Sequence, residues 1–204
     1  MRDDVNLVGA GKWAFWCLLM VGLTGCFRNT VPDQFYMLRA ADFAGQSVIH
    51  GEGPMVGLGP VRIPAYLDRP QIVTATSGQE YRLSEDHRWT ERLDENIARV
   101  SAQNLSALIP TDRIVMHPWP RESQPDVQVG ISIQEMHVDP RGEVRMSALW
   151  SLRQGKSDVT HHRFNCHLPA STTDYAQMVE VESQCLIRLN REMAVAIKKR
   201  LQPG

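Results

Sequence analysis

Asp126-Val-Gln-Val-Gly-Ile-Ser-Ile-Gln-Glu-Met-His-Val138 is the stretch that decides the fold. Val127, Val129, Ile131 and Ile133 alternate with polar residues, and a period of two lines one face of a strand with the apolar set. Such a strand has one wet face, which is the habit of antiparallel sheets. Pro140-Arg141-Gly142 then turns the chain into Glu143 to Leu152, and Gln154 to Asp158 turns it again into Thr160 to Leu168. Strands joined by short Gly-containing turns read as an antiparallel meander.

Outward from the meander, the pattern changes from two to helical. On its C-terminal side a long helix is expected from about Thr172, because Val181, Cys185, Leu189, Met193 and Ile197 recur every four residues. On its N-terminal side a second helix is expected, with Ser84 as cap and Glu85 and Asp86 in the first turn, where the helix dipole favours anions. Its apolar stripe is Trp89, Leu93, Ile97, Val100 and Leu108, and Pro110 ends it. Arg113 to His117 is a short strand leading back to the meander. Further upstream, Gln71 to Thr76 and Glu80 to Leu83 flank Ser77-Gly78-Gln79 as a hairpin. Met55 to Pro64 is a strand interrupted by Pro60, which places it at an edge or puts a bulge there. Phe35 to Arg39 is a short strand candidate. Hairpin, helix, meander and helix give an α+β fold: a single domain over residues 35–202, a mostly antiparallel sheet with two long helices packed on it.

The composition fits a folded body. Of 204 residues, 43% are apolar and 22% charged, and Lys plus Arg (22) nearly balance Asp plus Glu (23). A net charge of -1 gives no basic excess for binding phosphate backbones, so nucleic acid is not expected as a partner.

The N-terminus sets the compartment. Lys12 precedes the apolar run Trp13 to Leu23, followed by Thr24-Gly25-Cys26. As a helix the run would rise about 16 Å against a hydrocarbon core of about 30 Å, too short to span. A basic residue, a short apolar stretch and small residues form a secretory leader, residues 1–25, although Asp3 and Asp4 depart from the usual positive start. The ending Leu23-Thr24-Gly25-Cys26 resembles the bacterial lipobox, in which cleavage leaves a cysteine whose thiol carries diacylglycerol. Cys26 is therefore the expected lipidation site and residues 26–34 a lipid-anchored tether. Phe27, rather than Asp, follows it, which in the bacterial sorting pattern favours the outer membrane. Cys17 leaves with the leader. Cys166 and Cys185 remain as a pair in an oxidising compartment, both on faces expected to be buried, so they form either a disulfide or two packed thiols.

Catalytic arrangements are poor. His161, His162 and His167 do not make a metal cluster, because on a strand the first two point to opposite faces and the first and third lie about 20 Å apart. Gly9-Ala-Gly11-Lys12 lacks the remainder of a phosphate loop. His137 and Asp139 have no nucleophile placed beside them, and no Gly-x-Ser-x-Gly elbow occurs. No catalytic residue, cofactor or metal is expected.

Phe35 to Leu38, Val56-Gly-Leu-Gly-Pro-Val-Arg-Ile-Pro-Ala-Tyr-Leu-Asp-Arg-Pro-Gln-Ile-Val73, Arg88 to Leu93 and Asn104-Leu105 resemble the PqiC family over most of the chain. The Gly59 to Val73 portion is the most specific, and Arg92 stands where the family often has Pro. The resemblance implies a non-enzymatic auxiliary lipoprotein of an ABC-type transporter. Its partner would be a periplasmic protein of the mammalian-cell-entry (MCE) type, docked at the outer membrane in intermembrane lipid transport that supports envelope integrity. Phospholipid and a second copy of the chain are further candidate partners. An outer-membrane assembly lipoprotein resembling the LptE type, or a periplasmic hydrolase with an unrecognised site, are the competing classes. Within the family-like segment, Pro60, Pro64 and Pro70 each fix φ and remove a donor, so Tyr66, Leu67 and Arg69 sit on a stiff turn. An aromatic and a forked cation on a rigid protrusion suit a partner contact. The competing expectation is that Tyr66 caps the core and Arg69 pairs with a carboxylate such as Asp68.

Overall fold

Ten elements follow one another in chain order: β1 (Gln34–Tyr36), β2 (Val56–Arg62), β3 (Gln71–Ala75), β4 (Tyr81–Trp89), α1 (Leu93–Leu108), β5 (Ile114–Met116), β6 (Val127–Val138), β7 (Glu143–Gln154), β8 (Asp158–Pro169) and α2 (Tyr175–Leu201). They come from a computed structural model that describes residues 32–43, 53–111, 113–120, 122–155 and 157–201. The expected leader 1–25, the phosphate-loop-like Gly9 to Lys12, the lipidation site Cys26 and most of the tether lie outside the described residues. The body considered below begins at Asp33.

The meander is as its alternation demands. β6 pairs antiparallel with β7 from Val127↔Gln154 to Val138↔Val144, and β7 with β8 from Glu143↔Pro169 to Gln154↔Asp158. Val127, Val129, Ile131 and Ile133 are all buried. A bulge between Ile133 and Glu135 shifts the phase, so Met136 and Val138 continue the buried face. The other edge of β6 is shared. Its first half takes β2 in parallel, Val56↔Val127 to Arg62↔Ser132, and its end meets β3 at Thr74↔Val138. β2 carries β5 in parallel, β3 carries β4 antiparallel, and β4 carries β1 in parallel. The α+β fold is as expected, and the sheet is mixed rather than purely antiparallel. Its longest ladders are antiparallel, while strands delivered by long connections arrive parallel.

Pro60 produces a bulge rather than an edge strand. The β2–β6 register shifts between Leu58 and Val61, and β5 pairs only as far as Leu58, so no donor is missed at Pro60. Gly59 has φ 118°, and a Cβ there would lie 2.7 Å from the Cβ of His117. Glycine is required at that position on both counts.

The first helix begins later than its sequence suggests. Ser84, Glu85 and Asp86 belong to β4, not to a helical first turn. Ser84 Oγ does accept the N–H of His87 at 3.1 Å, the bond a helix cap would make, but here it closes a bulge in the β3–β4 ladder. The chain then stays extended because Trp89 donates to the Pro70 carbonyl at 2.7 Å and pairs with Tyr36 on β1. Helix α1 starts at Leu93 after Arg92, whose φ of -57° is one that proline also adopts. Asp94 and Glu95 occupy its first turn. Helix α2 is capped by Asp174, whose Oδ1 accepts the Gln177 N–H at 3.1 Å, and closes on Lys198, Lys199 and Arg200.

α1 packs on α2, β2 and β5, while α2 lies along β6, β7 and β8. Leu93, Ile97 and Val100 from α1 and Val181, Cys185, Leu189, Met193 and Ile197 from α2 are all in the core. Between the helices runs the extended segment after β1, and buried polar side chains replace a sheet partner for it. Asn96 Oδ1 accepts the Leu38 N–H at 2.7 Å, Asn104 Oδ1 the Ala41 N–H at 2.9 Å, and Ser183 Oγ the Arg39 N–H at 3.1 Å. Asn104 in turn donates to Asn190, and Asn190 to Ser101, so the network crosses the helix interface fully bonded.

Candidate functional site

The turn from Pro64 to Pro70 closes on itself. Leu67 donates to the Pro64 carbonyl at 2.9 Å, and Arg69 to that of Leu67 at 2.8 Å. The two prolines that bracket it and these bonds leave it little freedom. Its side chains divide. Leu67 is only 3% exposed and belongs to the core, so it offers nothing to a partner. Tyr66 is half-buried, its ring 5.1 Å from that of Tyr81, and its hydroxyl accepts the Met136 N–H at 3.2 Å beside the β6 bulge. Burial pushes the Tyr66 phenol up to about 12. This is the core-capping role. Arg69 is exposed and makes no ion pair among the described residues, because Asp68 faces Arg92 at 3.6 Å instead. Arg92 is further held by Asp94 at 2.9 Å and Glu95 at 3.5 Å.

Arg69 and Pro70 thus form one wall of a cleft of about 350 Å³, with Trp89 to Leu93 opposite. Arg69, Arg92, Asp68 and Glu91 give that cleft both signs of charge. Glu91 is engaged by Arg99 and by Asn96 Nδ2, the latter at 2.7 Å. The cleft joins the stiff turn to the helix start and presents the Arg69 guanidinium, which has no ion-pair partner among the described residues.

Cys166 of β8 and Cys185 of α2 face each other, with Sγ atoms 2.02 Å apart and Cα atoms 5.7 Å apart, so the structure joins the outer strand to the helix. His162 turns to the helix side and stacks on Trp150 at 4.0 Å, away from exposed His161 and His167. Among the described residues, no group of three or more His, Cys, Asp and Glu is placed to hold a metal ion.

Two buried ionisable groups had no sequence signal beyond their identity. His137 is 3% exposed; its Nε2 lies 3.4 Å from Glu135, which also pairs with Arg145 at 3.3 Å, and Tyr81 meets its ring edge-on. Burial lowers the His137 pKa. Glu182, on α2, is 3% exposed; its Oε2 has no hydrogen-bond partner among the described residues, and burial raises its pKa to about 8. Among the described residues, neither His137 Nδ1 nor Glu182 Oε2 has a hydrogen-bond partner.

Residues 36–194 match the family described as the ABC-type transport auxiliary lipoprotein component. The intermembrane transport lipoprotein PqiC of Escherichia coli (strain K12) is 23% identical over 174 residues, covering 83% of this chain and 88% of its own length, and that of Shigella flexneri aligns equally. Among solved structures, an uncharacterized protein superposes with a TM-score of 0.68 at 21% identity, covering 82% of this chain and 99% of its own. A protein from Xanthomonas campestris gives 0.65 at 13%, covering 82% and 97%. Both share the fold. No helix among the described residues is long and apolar enough to cross a membrane. With the match extending from β1 into α2, the chain belongs to the ABC-type transport auxiliary lipoprotein family.

Proposed function

We propose that this lipoprotein is the outer-membrane component of an ABC-type intermembrane lipid transport system and docks the periplasmic MCE protein there without catalysing a reaction. The family match over residues 36–194 carries the reading. In this scheme residues 1–25 are removed, Cys26 bears the lipid, residues 26–34 reach from the membrane, and the body faces the periplasm with Cys166 and Cys185 oxidised. Arg69 and the cleft beside it are the proposed docking contact, with Tyr66 behind them as support. A stiff turn lowers the ordering cost of binding.

The experiment is co-purification of the full-length protein from membranes, with the MCE protein followed in the eluate and the lipoprotein followed by fractionation. The wild type should bring the MCE protein with it and fractionate with the outer membrane. Cys26→Ser should abolish that fractionation, because several acyl chains at about 0.8 kcal/mol per buried methylene are lost. Absence of the MCE protein from the wild-type eluate, or unchanged fractionation of the variant, would overturn the corresponding half of the reading.

A further inference from the structure

The meander has a second face, turned away from the helices. Register fixes what it carries. One row across β2, β6, β7 and β8 reads Arg62, Ser132, Leu149, Arg163, and the next across β6, β7 and β8 reads Gly130, Ser151, His161. Arg153 stands one row further on, opposite Gln128. Small residues thus floor the middle of the sheet while long cations rise around them. The result is an open depression of about 300 Å³. Its depth rests on Gly130 and Ser151: a Cβ on Gly130 would come within 3.1 Å of Ser151 Oγ.

The lining is one-signed. Arg62, Arg153 and His161 border the depression, and among the described residues no carboxylate does. Arg62 and Arg153 make no ion pair among the described residues, whereas Arg145, further along β7, is engaged by Glu135. This concentration of positive charge stands on a chain whose net charge is -1. Guanidinium forks match the oxygens of a phosphate group, and imidazole adds a further N–H donor. The rim is not wholly polar: Leu149 is 42% exposed, and exposed Pro60 lies across from it. A free phosphate would leave both apolar groups unused.

We propose that this trough binds the headgroup of one anionic phospholipid, its phosphate between Arg62 and Arg153 and its glycerol and first acyl carbons against Leu149 and Pro60. A zwitterionic headgroup is disfavoured because its ammonium would find cations and no carboxylate. The inference deepens the transport reading by naming a ligand, and it rests on that reading only for the source of the lipid.

Native mass spectrometry of the full-length protein in a nonionic detergent tests it, with dimyristoyl phosphatidylglycerol, dimyristoyl phosphatidylcholine or inorganic phosphate added. One phosphatidylglycerol should bind, at least tenfold more tightly than phosphatidylcholine, and excess inorganic phosphate should not displace it. The double substitution Arg62→Ala/Arg153→Ala should weaken capture tenfold or more. Ser151→Leu, which fills the floor and keeps every charge, should do the same with its melting temperature close to wild type. Arg188→Ala/Arg191→Ala, which removes as much charge from the exposed face of α2, should change little. Equal capture of phosphatidylcholine, displacement by inorganic phosphate, or indifference to Ser151→Leu would overturn the proposal. So would an equal loss with the α2 pair, which would reduce the effect to diffuse attraction. MCE co-purification is scored separately, so failure here leaves the docking reading standing and failure there leaves the trough.

Discussion

The meander β6–β8 with α2 and the proline-rich strands β2–β4 belong to one sheet, yet they are held by different means. In the meander, stability is repetitive: outside the single bulge in β6, each second residue enters the core and each pair adds a rung to the ladder. In β2–β4 it is local and particular. Gly59 clears His117, Ser84 closes a bulge, Trp89 reaches Pro70 and Tyr66 receives Met136. A region of the first kind loses stability in proportion to the apolar volume removed, whereas one of the second depends on a few bonds whose loss redirects the chain.

Substitutions should separate the two modes. The largest loss is expected from Leu189→Ala, a fully buried α2 residue over the meander, at about 4 kcal/mol by denaturant unfolding. A cost as small as that of a turn substitution would show the meander core to be less tightly packed than its burial implies. Next comes Cys185→Ala. The bridge closes a loop of 19 residues, for which chain entropy gives about 3 kcal/mol. Mapping of the oxidised wild type should recover Cys166 joined to Cys185, and two alkylatable thiols would refute the pairing.

Glu182→Gln should act in the opposite direction. The folded carboxyl, raised to about 8, binds its proton more tightly than the unfolded one near 4.5. The Glu182 contribution is therefore undiminished below pH 4.5 and is lost as pH rises toward 8. The variant should gain about 2 kcal/mol at pH 8 and nothing at pH 4, with water penetration softening the full shift. His137, with its lowered pKa, works on the other side: its contribution is present above about pH 6.5 and is lost as pH falls. A pH-independent gain for Glu182→Gln would mean that the carboxyl is solvated.

In the proline-rich region, Tyr66→Phe removes one acceptor from the Met136 N–H and should cost about 1 kcal/mol. The smallest stability effect, under about 0.5 kcal/mol, is expected from Arg69→Glu, because Arg69 is exposed and has no ion pair among the described residues. Capture of the MCE protein should nevertheless fall severalfold. Unchanged capture would move docking away from the turn.

The same contrast explains what could be read in the sequence. Alternation in Val127 to Ile133 and the four-residue spacing from Val181 to Ile197 are local signals, and both elements lie where those signals put them. Ser84 misleads because its cap-like bond to His87 is local, whereas the choice between helix and strand there is made by Pro70 and Tyr36, distant in the chain. The parallel pairings have the same origin: nothing near Val56 announces Val127. At the turn, the prolines foretell stiffness, but the burial of Leu67 depends on what packs over it. Arg62, Arg153 and His161 come from three strands and meet only through register, so their meeting has no signature in any one of them.

The clamp on residues 38–41 has a mechanical consequence. With Cys26 acylated as proposed, every force between membrane and body passes through the chain at Asp33. The three rungs of β1 on β4 are the first resistance to it. Behind them, Asn96, Ser183 and Asn104 grip the backbone amides of Leu38, Arg39 and Ala41, so tension is passed to both helices and through Asn190 shared between them. The tether is thereby spliced into the middle of the domain, and peeling it away would require opening the helix interface rather than fraying an edge.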